Sequence, residues 1–148
     1  MNIKPRKMQF CLLAVGAIKD AYLQEGMALY AKRIGNYCSF MQLVVPTAEK
    51  LETALKPGDF LVLLDEYATS YGSVDFSKQM QRWMNSGPKR MVFAVGDAYG
   101  FPASFRGKAN ASVALGPMTM THDMVRLVFA EQLYRAWTLL KNEPYHHA

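Results

Sequence analysis

Five short apolar runs punctuate the chain, and none of them alternates cleanly: MQFCLLAV at Met8–Val15, FMQLVV at Phe40–Val45, FLVLL at Phe60–Leu64, MVFAV at Met91–Val95 and SVAL at Ser112–Leu115. A strand with one face in water alternates polar and apolar residues, whereas an unbroken apolar run has both faces covered. Helical patterns separate the runs. The chain is therefore expected to be an α/β protein, with a mainly parallel sheet of five or six strands and helices on both faces. Sheets of this kind receive ligands beyond the carboxyl ends of their strands. Those ends are Gly16, Leu64–Glu66, Gly96–Gly100 and Gly116–Thr121, so any site belongs among these loops.

The intervening segments carry their own stops and starts. Asp20–Ile34 places Tyr22, Leu23, Met27 and Tyr30 at helical spacing, and TAEKLETALK predicts a short helix capped by Thr47 and closed by Pro57-Gly58. Ser73 is the expected cap of a helix over Val74–Asn85, with Phe76, Met80 and Trp83 on one side and Ser86-Gly87-Pro88 as its stop. A short helix is expected near Pro102–Lys108.

The longest helix is predicted over Asp123–Lys141. Thr119 or Thr121 supplies its cap, Asp123 favours the positive end of its dipole, and Asn142 followed by Pro144 ends it. At 100° per residue, Val125, Phe129, Leu133, Ala136, Trp137 and Leu140 form one apolar arc, and Arg126 falls inside it. A guanidinium there is either paired, snorkelling to water, or facing a ligand. Met124, Leu127, Val128 and Leu139 populate the opposite side among Glu131, Gln132 and Arg135, which suggests a helix clamped between its own sheet and a second subunit.

A length of 148 residues suits one domain spanning the whole chain, and 51% hydrophobic with 20% charged residues excludes a disordered protein. The excess of 17 Lys and Arg over 12 Asp and Glu leaves +5, which favours an anionic partner without identifying it. Cys11 and Cys38 have no spacing suited to a disulfide framework or zinc, so reduced buried thiols are expected. Lys4, Arg6 and Lys7 ahead of the first apolar run imitate a signal peptide, but that run reads as a core strand. No stretch approaches the ~18 apolar residues of a membrane span. His122, His146 and His147 lack partners at metal-ligand spacing, so no metal is expected.

Two strand-end loops carry chemistry. GDAYG has glycines at both ends of a tight turn but neither the Lys-Ser/Thr of a phosphate loop nor a dinucleotide spacing. Asp65 and Glu66 end the third strand, where a response-regulator receiver holds its phospho-acceptor. The acids and the lysine that a receiver needs elsewhere are replaced by GAIKD and GPMT. In the tail, Tyr145 beside His146 and His147 supplies groups suited to proton transfer.

LLAVGAIKDAYLQEGMALYAKRI, LVLLDEYATSYGS, FAVGDAYGF, LGPMTMTH and VRLVFAEQLYRAWTLLKNEPYHHA together resemble the RlmH type of SPOUT methyltransferase, which methylates N3 of a pseudouridine in the large ribosomal subunit. The resemblance covers nearly the whole chain. It implies an α/β domain with a C-terminal trefoil knot, a homodimer, S-adenosylmethionine as donor, and a pseudouridine in a stem-loop of 23S rRNA as acceptor. The reduced thiols point to a cytoplasmic protein, and a small domain with no separate RNA module is expected to recognise a folded target, the assembled ribosome, by shape. By motif position it assigns donor binding to Leu64, Gly96, Leu115, Gly116, Pro117, Met118, Thr119 and Met120. His146 is assigned as base or proton relay, Tyr145 as orienting or water-excluding group, and Arg126 or Arg135 as stabilisers of negative charge. In a dimer the tail is expected to reach the partner's donor pocket.

Asp97 stands where the family usually has a second glycine, Thr121 where a proline precedes the histidine, and His147 where the tail carries arginine. The alternatives are a SPOUT enzyme for another RNA base and a ribosome-assembly factor that keeps the fold without transferring methyl groups. Cations available for RNA phosphate are Lys4, Arg6, Lys7, Lys19, Lys89, Arg90, Arg106, Lys108 and Arg135.

Overall fold

The apolar runs become the strands of one parallel sheet in the computed structural model, which describes residues 7–147. The strands are β1 (Gln9–Val15), β2 (Ser39–Val45), β3 (Asp59–Leu64), β4 (Arg90–Val95) and β5 (Ala111–Val113). Their order is β2-β1-β4-β3-β5, every pair is parallel, and Leu64 lies opposite Val95 on one side and Val113 on the other. A receiver sheet runs 2-1-3-4-5, so the exchange of β3 and β4 excludes that fold. Lys4 and Arg6 lie outside the described residues.

The runs of β1, β3 and β4 are apolar because both faces are covered, whereas the edge strand β2 is largely exposed, with Met41 and Val44 at the surface. Phe10, Leu12, Val62, Met91 and Phe93 face helices α1 (Ala21–Ile34), α2 (Ser73–Asn85) and α4 (His122–Leu140). Cys11, Leu13, Leu61, Leu63 and Val92 face the opposite way, onto Leu51 of a 3-10 helix (Ala48–Ala54) and Phe105 of α3 (Ala103–Arg106). The Phe129 ring of α4 is tilted against Phe93 with centroids 4.6 Å apart, and Trp137 lies 5.5 Å from Phe10. Each fully buried aromatic of this kind stabilises the fold by roughly 1.5–3 kcal/mol. Both cysteines are free and buried, as expected.

α4 lies on the sheet between α1 and α2. A Cβ at Gly26 of α1 would stand 2.7 Å from Leu127 Cδ1, so glycine permits the close approach of the two helices. The second apolar side of α4 is thus partly covered within the chain, at Leu127.

Capping departs from expectation at two helices. Thr121 does cap α4, its hydroxyl accepting from the Met124 N–H at 3.3 Å, and Asn142 takes the left-handed conformation just past the helix end (φ 56°). Ser73, however, is inside α2; Gly72 holds the cap position, and the Ser73 hydroxyl donates to Gln132 Oε1 at 2.7 Å, tying α2 to α4. Thr47 precedes a 3-10 rather than an α-helix and makes no side-chain cap. The short helix expected over Pro102–Lys108 is one turn, because the chain turns at Gly107 toward β5.

Candidate active site

Strands β3, β4 and β5 end side by side, and their following loops enclose a cleft of about 660 Å³. That volume suits a small-molecule site. Leu64, Val95, Val113, Leu115 and Val125 give it apolar walls, and Gly96, Gly100 and Gly116 bring backbone to its surface. Of the residues assigned to the donor, Leu64, Gly96, Leu115, Gly116, Met118, Thr119 and Met120 line the cleft; Pro117 belongs to the same loop but not to the lining.

The GDAYG turn is tighter than its glycines alone require. Asp97 and Gly100 bridge antiparallel, the Gly100 N–H donates to the Asp97 carbonyl at 3.0 Å, and Gly100 has φ +89°. A Cβ on Gly96 would stand 2.6 Å from the Gly100 carbonyl oxygen, so only glycine fits. The Asp97 carboxylate turns back to accept the Tyr99 N–H at 2.8 Å. The β3 loop repeats the device, Asp65 Oδ1 accepting the Tyr67 N–H at 3.0 Å.

Asp65 is fully engaged, because its Oδ2 pairs with Arg106 Nη1 at 2.8 Å. Burial pushes its carboxyl up, but the Tyr67 N–H together with the hydrogen bond and charge of Arg106 outweighs burial and holds it below the usual carboxylate range. Glu66 and Asp97 are the remaining acids of the cleft, which leaves its mouth negative. Arg106 and His122 also line it, and the sequence pattern had marked neither as a cleft residue. Only their position after the strands signals them.

A second cluster forms at the far end of α4. Arg135 donates from Nη1 to His146 Nδ1 at 3.0 Å and from Nη2 to Glu131 Oε1 at 2.5 Å, while the Tyr145 hydroxyl donates to the same Glu131 oxygen at 3.0 Å. The Arg135 guanidinium lies 4.8 Å from the Tyr145 ring centroid. Burial first, then the bond and charge of Glu131, push the Tyr145 phenol up, so it keeps its proton and is no base at neutral pH. Because a guanidinium only donates, Nδ1 of His146 is the acceptor and the neutral ring carries its proton on Nε2. Glu131 joins this cluster unforeseen; its i,i+4 spacing to Arg135 was the available signal.

The structure therefore brings Arg135, Tyr145 and His146 together, yet none of them lines the cleft of its own chain. Arg126 belongs to neither group. Its Nη1 donates to the Gly16 carbonyl at 2.6 Å, Asp123 lies 3.7 Å away, and its buried Nε has no partner. Burial pushes this guanidinium down and Asp123 only partly restores it. Arg90, expected on an RNA surface, is 4% exposed and held bidentately by Asp59 at 2.9 and 2.7 Å. It locks the start of β4 to the start of β3 and is not available to phosphate.

Among the described residues no three His, Cys, Asp or Glu side chains are grouped to hold a metal ion, and no helix is long and apolar enough to cross a membrane.

Fold and cleft together define an α/β protein with a small-molecule cleft, partly lined by glycine backbone, at the ends of three adjacent parallel strands. The family model described as "Predicted SPOUT methyltransferase" matches residues 8–146. Two similar proteins are each called "Ribosomal RNA large subunit methyltransferase H". The one from Parabacteroides distasonis is 37% identical over 95% of this chain and 99% of its own, and the one from Flavobacterium johnsoniae is 39% identical over 99% of each. A probable methylase family protein from Haemophilus influenzae shares the fold with a TM-score of 0.52 at 9% identity, over 91% of this chain and 67% of that one. The chain is a member of the SPOUT methyltransferase family.

Proposed function

We propose that this chain transfers a methyl group from S-adenosylmethionine to N3 of a pseudouridine in 23S rRNA, working in the cytoplasm as a homodimer on the assembled large ribosomal subunit. The observation that carries the reading is the cleft: backbone close-packed at Gly96 and Gly100, apolar walls, and the acids Glu66 and Asp97 in its lining, which suit a ligand that is cationic at sulfur. The names of the relatives support the substrate. The trefoil knot belongs to the same reading. It rests on membership of the family.

When bound, the cofactor supplies an electrophilic methyl group on a sulfonium. Leu64, Leu115 and Met118 would pack against it, and peptide groups of Gly96 and the Gly116–Met120 loop would orient it, so that positioning would provide much of the rate. The acceptor N3 carries a proton, which passes to solvent as the anion forms, because His146, with Nδ1 accepting from Arg135 and Nε2 protonated, has no free nitrogen to act as the expected base; the anion must then be stabilised. Arg135 supplies fixed positive charge, and His146, with Nδ1 accepting from Arg135, presents Nε2–H as a donor to a uracil carbonyl beside N3. Glu131 and Tyr145 hold this pair in place. Arg126 has no part in the step, since its guanidinium is committed to Gly16.

The tail cluster lies apart from its own cleft, and the partner's tail completes each site. Mixed dimers test this. A Gly96→Ala subunit paired with a His146→Ala subunit should restore one working site, although each homodimer is inactive. Failure of every mixture to methylate large subunits, while both variants dimerise, rejects the shared site. Failure of the unmutated protein to bind S-adenosylmethionine by calorimetry rejects the enzyme reading and favours an assembly factor.

A further inference from the structure

The three most exposed large apolar side chains among the described residues all surround the one cleft: Tyr99 at 98%, Tyr67 at 89% and Met118 at 80%. Scattered surface aromatics need no explanation, but concentration around a single opening marks a contact site. Both tyrosines are mounted alike. Each follows a strand end by a few residues, and each has its backbone N–H held by the aspartate two positions earlier, Asp65 for Tyr67 at 3.0 Å and Asp97 for Tyr99 at 2.8 Å. The strands beneath are neighbours in register, Leu64 opposite Val95, so the two turns start about 5 Å apart. Two rings with almost no protein contact are thus carried on fixed backbone at the lip of the cleft.

We infer that Tyr67 and Tyr99 form a stacking platform for unpaired RNA bases flanking the methylated nucleotide. This rests on the proposed rRNA substrate. A base inside a helix cannot offer its N3 to a recessed methyl group, so the acceptor must leave its stack, and the bases beside it lose stacking partners. Aromatic rings replace those partners regardless of sequence, because every base has a π-face. The charge around the rings selects the base over the backbone: Glu66 and Asp97 repel phosphate at this lip, while Arg106, the adjacent cation, is paired with Asp65. The partner's tail enters the cleft below these rings, and the rings are not its main interface: a stable dimer buries roughly 800 Å² per partner, far more than two separate side chains supply.

The test is steady-state methylation of large ribosomal subunits by Tyr67→Ala, Tyr99→Ala and the double variant, beside S-adenosylmethionine calorimetry and sedimentation of each. Because both rings are exposed, the variants should fold. The double variant should raise KM for the subunit by about tenfold or more, given the stacking worth of a base. Affinity for S-adenosylmethionine and dimer mass should stay unchanged, and phenylalanine at both positions should restore KM. An unchanged KM in the double alanine variant overturns the inference while leaving the enzyme reading intact. Loss of donor affinity would assign the rings to the cofactor, and loss of the dimer would assign them to the partner subunit; either outcome also overturns it. If the unmutated protein methylates no ribosomal RNA, the enzyme reading and this inference fall together.

Discussion

Arg135 holds His146 by a 3.0 Å hydrogen bond to Nδ1, across the turn that ends α4. That bond fixes the ring's tautomer and holds His146 back against the helix. Arg135→Ala and His146→Ala should each lower kcat by about 10²-fold or more with donor affinity retained. Lysine at position 135 should not rescue, because one ammonium cannot bridge Glu131 and His146 as the guanidinium fork does. Single-turnover methylation with parallel calorimetry checks this; equal loss of donor affinity would place the cluster in cofactor binding.

Gly96 is glycine for space and not for backbone conformation. With the Gly100 carbonyl 2.6 Å from where a Cβ would sit, the obstacle is backbone and cannot swing aside. Gly96→Ala should cost about 1–3 kcal/mol of stability and should weaken S-adenosylmethionine binding more than tenfold as the turn opens. Denaturant melts and calorimetry measure the two effects; an alanine variant with native affinity would show that the turn is not part of the cradle.

Arg126 separates a structural from a catalytic role. Replacement by methionine leaves the half-buried Gly16 carbonyl without its donor, at a cost of about 1 kcal/mol. The melting temperature should therefore drop, while kcat measured well below it should fall far less than for Arg135→Ala. A kcat loss matching that of Arg135→Ala would return Arg126 to the reaction.

Asp65 makes the cleft sensitive to acid. Its folded carboxyl lies below the ordinary value of 3.8, so the stabilisation is fully present above that value and is lost as pH falls through the depressed one. Arg106 is half exposed, which limits the pair to less than about 1 kcal/mol. Denaturation midpoints from roughly pH 6 down to pH 3 should fall less steeply for Arg106→Ala than for the unmutated protein. Superimposable acid limbs would show that the pair contributes nothing.

Apolar runs, glycines and caps are local signals, and they placed the five strands, the four α-helices and the ligand loops almost where the structure has them. The Thr121 cap and the Asn142 stop were legible because each depends on its own neighbours in sequence. Ser73 was misread because its hydroxyl answers to Gln132, fifty-nine residues away. Arg90 looked like a surface cation for the same reason: nothing near it in sequence reveals Asp59 beneath it.

What the sequence by itself determined is the class of fold, the loops that hold the ligand, and through its motifs the family. Tertiary structure alone decided the exchange of β3 and β4, the pairing of Asp65 with Arg106, the assignment of Arg126 to Gly16, and the gathering of Glu131, Arg135, Tyr145 and His146 away from their own cleft. Periodicity reports which face of an element is apolar, but the partner of a charge is set by the distance between elements, which no local pattern encodes.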